Sequence, residues 1–216
     1  MIESNIPMQP GHIYHVWSHA NGDENIFRVE ENYHYFQDKY FLHLTPVLET
    51  FAYCLLPNHF HLMVRVKTEN EIRNSLFPTL GGSGTLQGLD YPRLVSNQFS
   101  KLFNGYAQSY NKKYDRKGSL FIPNFKRKAI NSDSYYTSAI IYIHWNPIHH
   151  GFTTDFNEWP YSSWHDYMYN RYSKINTFEV MEWFGGRDKF VSEHYKMKLG
   201  IDKITLQGSG TLGGLF

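Results

Sequence analysis

The stretch ETFAYCLLPNHFHLMVRV, residues 49–66, sets the architecture. Its first part, ETFAYCLL (49–56), is apolar and aromatic and reads as a strand. Pro57-Asn58 breaks that strand, and HFHLMVRV returns as an antiparallel partner, so the segment is a short-loop hairpin. In a strand, side chains two positions apart share one face, about 7 Å from each other at the backbone. His59 and His61 therefore project side by side, while Phe60 points into the opposite face. A buried histidine is costly unless its ring nitrogens find partners. Two imidazoles so placed can converge on one divalent metal. The same spacing also suits two separately satisfied core histidines.

Outward from the hairpin, HIYHVWSHA (12–20) reads as another strand, closed by the Asn21-Gly22 turn signal. From Glu30 to Leu44 the residues Tyr33, Phe36, Tyr40 and Leu44 recur at helical spacing. Residues 78–92, with Gly81, Gly82, Gly84 and Gly88, read as a flexible loop. A long amphipathic helix follows over 93–114, and Gly118 lies just past it. GSLFIPNF (118–125) looks extended, with Pro123 marking an irregularity. NSDSYYTSAIIYIHWNP (131–147) predicts a helix capped by Asn131 or Ser132 and stopped by Pro147. Beyond Gly151 the pattern weakens, except for a helix over 177–198.

Composition narrows the class. The chain has 216 residues, enough for one domain with a substantial core and room for an appendage. One cysteine, Cys54, rules out an internal disulfide and disfavours a cysteine-based zinc site, so a reducing, cytoplasmic setting is expected. No basic-then-apolar N-terminal segment suggests a signal peptide, and no apolar run is long enough for a membrane span. Net charge is only +1, so a nucleic-acid role needs a local basic patch. One exists on paper: Lys112, Lys113, Arg116, Lys117, Lys126, Arg127 and Lys128 face only Asp115, with Tyr110, Tyr114, Phe121 and Phe125 interleaved. Phosphates favour the charges and unpaired bases favour the rings. A solvated helix end with core aromatics explains the same residues equally well.

A metal site at His59 and His61 needs further ligands, and there is no second cysteine and no His-Glu-x-x-His helix. In YIHWNPIHHG (142–151), Tyr142 and Asn146 stand one helical turn apart on one face. An Asn carbonyl suits Mg²⁺ or Mn²⁺. A neighbouring tyrosine can then act as nucleophile on a phosphate. The plainer alternative is a helix end with Tyr142 in the core and Asn146 capping locally.

AYCLLPNHFHLMV, followed by YIHWNP and then WPYSSWHDY, resembles the single-tyrosine HUH transposases, and most closely their REP-associated tyrosine transposases. HUH denotes His, a hydrophobic residue, His: here His59, Phe60 and His61. The likeness runs from GHIYHVWSHANG to about Tyr167. It implies an α+β fold, with a central antiparallel sheet of ferredoxin or RRM type flanked by helices. Residues 1–170 would form the transposase-like domain, and 171–216 a C-terminal helical extension and flexible tail. It implies His59, His61 and Asn146 as ligands of Mg²⁺ or Mn²⁺, and Tyr142 as the nucleophile. The activity implied is cleavage and strand transfer of single-stranded DNA beside a hairpin (a REP-like palindrome) through a 5′-phosphotyrosine link, by a monomer or homodimer. Asn124-Phe125-Lys126 departs from the family, where an arginine-containing version is common.

Three other functions fit parts of the pattern. A catalytically silent hairpin-DNA-binding regulator need not keep His59, His61, Tyr142 and Asn146 together. A replication-initiator or relaxase-type nickase uses the same chemistry in larger chains. A metal-dependent phosphoester hydrolase would leave the basic aromatic segment unexplained. LGGSGTLQG (80–88) and LQGSGTLGG (206–214) differ at two of nine positions, a near-repeat that suggests either a tail folding back over the site or captured repeat DNA.

Overall fold

In the computed structural model, residues 6–78, 88–169 and 173–206 are described, with residues 133–134 and 198–206 described by backbone alone. The near-repeat and the tail lie outside them, apart from the edge positions Gly88 and Leu206. The elements are β1 (Ile13–His19), α1 (Glu30–Leu44), β2 (Leu48–Leu56), β3 (His59–Val66), α2 (Glu69–Leu76), α3 (Tyr91–Lys113), β4 (Lys126–Ile130) and α4 (Asp133–His149). A 3₁₀ turn (Phe156–Glu158), α5 (Trp164–Met168), α6 (Thr177–Phe184) and α7 (Arg187–Leu206) complete the described chain. Among the described residues the strands form one four-stranded sheet, order β2-β3-β1-β4, antiparallel throughout. The β1-α1-β2-β3-α-β4 order and this strand order give the split βαβ topology. The expected antiparallel α+β sheet with flanking helices is what the chain adopts.

Alternation in β1 and β3 separates two cores. Tyr14, Val16, Phe60, Leu62, Val64 and Val66 pack against Phe36, Tyr40 and Leu44 of α1 and Val95, Phe99, Leu102 and Tyr106 of α3. Phe60 is fully buried there, as the hairpin pattern requires. On the other face, Ile13, Ala52, Cys54 and Met63 pack against Ile140 and Ile143 of α4, Val180 and Phe184 of α6, and Phe190 of α7. His59 and His61 belong to this second face. They lie beneath α4 rather than open to solvent, at 3% and 6% exposure.

Three local expectations are corrected, and one helix stands where none was expected. The helix over 131–147 does not stop at Pro147: α4 runs to His149, with His150 N donating to Asn146 O at 3.0 Å. Proline lacks only its own N–H, so near a helix end one bond is lost and the last turn survives. Residues 118–125 contribute a single bridge, Ala20 with Phe121, and the true edge strand is β4. Its Lys126-Arg127-Lys128 run hid it, because charged residues on an edge strand break the apolar alternation. The helix over 177–198 is two helices. Gly185 (φ 71°) closes α6 in the left-handed conformation and Gly186 (φ 110°) follows. Glycine alone adopts that pair of angles cheaply. Finally α2, which carries no long apolar stripe, is set by the Thr68/Glu71 capping box.

α7 is tied to α4 through buried polar groups. Ser163 Oγ lies 2.7 Å from His144 Nε2, His144 Nδ1 lies 2.9 Å from His194 Nε2, and His194 Nδ1 lies 2.7 Å from the Phe190 carbonyl. All three side chains are buried. Among the described residues no helix is long and apolar enough to cross a membrane.

Candidate active site

Antiparallel pairing of β1 with β3 sets Trp17 opposite His61 and His19 opposite His59. Because side chains alternate, His15 and His19 share the face of His59 and His61. The His19 ring stacks on His59 with centroids 4.6 Å apart. His15 Nε2 lies 2.9 Å from His61 Nδ1, and the two rings are inclined by 26°. His59 and His61 are edge to face, 5.3 Å between centroids.

α4 brings a second row down onto this one. Tyr142, Asn146 and His150 follow at four-residue steps and so lie along one helix stripe. At one end of the stripe the Tyr142 ring stands edge-on to His61 at 5.7 Å and to His15 at 5.9 Å. At the other end His150 meets His59 at 4.8 Å. Asn146, between them, is fully buried; its Nδ2 donates to the Tyr142 carbonyl at 2.8 Å. Its Oδ1 is buried with no hydrogen-bond partner. The expected quartet of His59, His61, Tyr142 and Asn146 is thus one neighbourhood.

Burial sets the protonation states. Desolvation, followed by the neighbouring His19 and His150, pushes His59 down to about 3. Desolvation, then His15, holds His61 well below the usual imidazole range. Both rings are neutral at pH 7, the state in which a ring nitrogen can bind a metal. His59 Nδ1 lies 2.7 Å from Asn58 Oδ1 and His61 Nδ1 is engaged by His15, so each ring has Nε2 to spare. Desolvation raises the Tyr142 phenol, and the Asn146 amide partly offsets this. Tyr142 is therefore a neutral phenol at physiological pH.

Among the described residues no group of three or more His, Cys, Asp or Glu is arranged to hold a metal ion. A cation at this place needs an oxygen from outside that set. The partnerless carbonyl oxygen of Asn146, beside two neutral imidazoles, fits a Mg²⁺ or Mn²⁺ site of mixed N and O donors.

The basic segment divides. Lys112 and Lys117 are exposed at the end of α3 and in the turn after it, and Lys126 is half-buried at the start of β4; among the described residues none of the three side chains has a hydrogen bond or ion pair. Lys113 lies over the Tyr114 ring at 5.5 Å. Arg116 does not face solvent: it pairs with Glu24 at 2.5 Å and donates to the Gly118 and Ser119 carbonyls. Arg127 bonds the Ile6 carbonyl and lies over Phe125, and Lys128 donates to the Tyr135 hydroxyl at 2.8 Å. These last three have partners within the fold. Between α3 and residues 118–127 runs a groove of about 690 Å³, lined by Ser96, Ser100, Asn104, Gln108, Phe121 and Asn124 among others, none of them acidic. One wall is anchored to the end of β1, where Ile122 N donates to the His19 carbonyl at 3.0 Å.

His15, His19 and His150 escaped the sequence reading. The first two had a signal, since residues four apart in HIYHVWSHA share a strand face. His150 had one as well, two turns beyond Tyr142.

No protein-family model matches the chain. A Haemophilus influenzae protein assigned by name to the REP-associated tyrosine transposases is 28% identical over 120 residues. That match covers 54% of this chain and 59% of the relative, so the chain spans less than two thirds of the relative's length. A solved structure of a REP-associated tyrosine transposase bound to a REP hairpin aligns with a TM-score of 0.57 at 17% identity, over 82% of this chain and 91% of that one. The second likeness shows a shared fold.

Proposed function

Because this chain is similar in sequence and in fold to the REP-associated tyrosine transposases, we propose that it cuts and rejoins single-stranded DNA beside a hairpin, with Tyr142 as nucleophile. The observation that carries the reading is the Tyr142 ring edge-on to His61, with the buried, partnerless Asn146 oxygen one helical turn along the same stripe of α4.

A bound Mg²⁺ or Mn²⁺ supplies Lewis-acid polarisation of the scissile phosphate and charge neutralisation. His59, His61 and Asn146 would hold it. The chain does the rest. Tyr142 Oη forms a bond to phosphorus as the bond from phosphorus to the 3′ oxygen breaks; the phenol proton leaves to water and the departing 3′ oxygen takes a proton from water. The products are a 5′-phosphotyrosine and a free 3′-OH. The number of phosphoester bonds is unchanged, so a strand with a 3′-OH can reverse the step without a nucleotide cofactor. The close fit of Tyr142 against His61 and His15 limits its motion, and such orientation contributes much of the rate in phosphoryl transfer. In this reading the unpaired strand lies along the groove beside α3, its phosphates near Lys112, Lys117 and Lys126. Asn104 and Gln108 are then available to base edges.

The test is incubation with single-stranded hairpin oligonucleotides from the gene's own flanks in Mg²⁺, scored for a covalent adduct on a denaturing gel. Wild-type protein gives the adduct; Tyr142→Phe binds the hairpin and gives none. An adduct that persists in Tyr142→Phe removes Tyr142 from the mechanism. A wild-type protein that binds without ever forming an adduct makes the chain a binder.

A further inference from the structure

The histidine row has one hydrogen bond that the proposed chemistry leaves unexplained. His15 sits on β1 two residues from Trp17, the direct partner of His61, and itself pairs with Met63. The diagonal brings His15 Nε2 to 2.9 Å from His61 Nδ1. The rings are close to coplanar, as an in-plane nitrogen-to-nitrogen bond needs. His15 is itself enclosed, with Trp17 at 4.9 Å on one side and Tyr142 edge-on at 5.9 Å. Its position is fixed by packing.

A neutral imidazole has one N–H and one lone pair. Two neutral rings sharing a bond therefore have two arrangements. If His61 Nδ1–H donates to His15 Nε2, the His61 Nε2 lone pair is available to a cation. If His15 Nε2–H donates to His61 Nδ1, the proton of His61 sits on Nε2 and the ring cannot be a ligand there. His59 shows which arrangement matches: its Nδ1 lies 2.7 Å from Asn58 Oδ1, which can only accept, so its Nε2 also carries a lone pair.

We propose that His15 is a positioning residue that accepts the His61 Nδ1–H, so that His59 and His61 both present Nε2 lone pairs to the cation. This rests on the reading of His59 and His61 as ligands. A partner behind a ligating histidine fixes its tautomer and ring plane, and its loss commonly costs 10- to 100-fold in metal affinity.

The decisive readout needs no metal. Long-range ¹H–¹⁵N correlation spectra of the metal-free wild-type protein at pH 7.5 are expected to show His61 protonated on Nδ1. A His61 protonated on Nε2 overturns the proposal without any variant. His15→Gln keeps an acceptor and is expected to keep that tautomer; His15→Leu removes the acceptor and is expected to lose it. Mn²⁺ affinity, measured by electron paramagnetic resonance, is expected to fall 10- to 100-fold in His15→Leu and to stay within a few-fold in His15→Gln. Equal affinity in His15→Leu and wild type overturns the proposal. A wild-type protein that binds no Mn²⁺ overturns the ligand reading, and the spectra then decide the His15–His61 bond by themselves.

Discussion

Replacing Asn146 with leucine separates what this residue does for the fold from what it does for the site. In the metal-free protein Asn146 Oδ1 is buried and has no partner. Such a group costs about 1–3 kcal/mol of stability. Against this, the bond from Nδ2 to the Tyr142 carbonyl at 2.8 Å contributes about 0.5–1.5 kcal/mol. Leucine removes both, and its methyl groups suit a neighbourhood that includes Ile143. The net change is therefore between about −0.5 and +2.5 kcal/mol, from a fall of about 2 °C to a rise of about 10 °C in Tm at about 2–4 °C per kcal/mol. Metal reverses the ranking. A cation at a hundred times its Kd stabilises the wild type by about 2.7 kcal/mol, or roughly 5–10 °C. Asn146→Leu, with its oxygen gone, should show little of that shift. The assay is differential scanning fluorimetry with EDTA and with a Mn²⁺ titration, on both proteins. Two results refute the reasoning: a metal-free Asn146→Leu well below the wild type, or a full Mn²⁺ shift in the variant.

Three other outcomes are expected. Lys112→Ala and Lys117→Ala should each lower the slope of log affinity against log salt for single-stranded hairpin DNA by about 0.7. Arg116→Ala should instead lower Tm, because Arg116 is tied to Glu24; unchanged salt slopes for the lysine variants place them outside the interface. The third concerns pH. Burial holds His194 at about 3 and His144 well below its usual range, so the unfolded state binds more protons below pH 6.5. Their stabilisation is complete above that pH and is lost as pH falls through it, at about 1.4 kcal/mol per group by pH 5.5. His194→Gln should flatten the pH dependence of urea unfolding between 6.5 and 5.5 by about one group's share, and an unchanged slope would remove His194 from the account.

Where burial and period coincide, the sequence was readable. Phe60, Leu62, Val64 and Val66 alternate, so the hairpin and the joint direction of His59 and His61 followed from it. Tyr142 and Asn146 followed from helical spacing and from the family likeness. β4 was not readable, because its facing residues are lysine and arginine whose partners, Ile6, Phe125 and Tyr135, are remote in sequence or come from other elements. His15 was hidden for a similar reason: its partner is 46 residues away and diagonal across two strands, a relation that only the register of β1 on β3 fixes. Nor could charge alone tell Arg116, bound to Glu24, from Lys117, which faces water.

Tyr142 and Asn146 stand on one helix, so their spacing along it is set by helical rise, about 6 Å for four residues. It does not depend on how the sheet breathes. What can vary is the distance of that rigid ruler from the histidines, and it varies for both groups at once. What holds that ruler in place lies on its other side: the Ser163, His144 and His194 chain fastens α4 to the C-terminal helix.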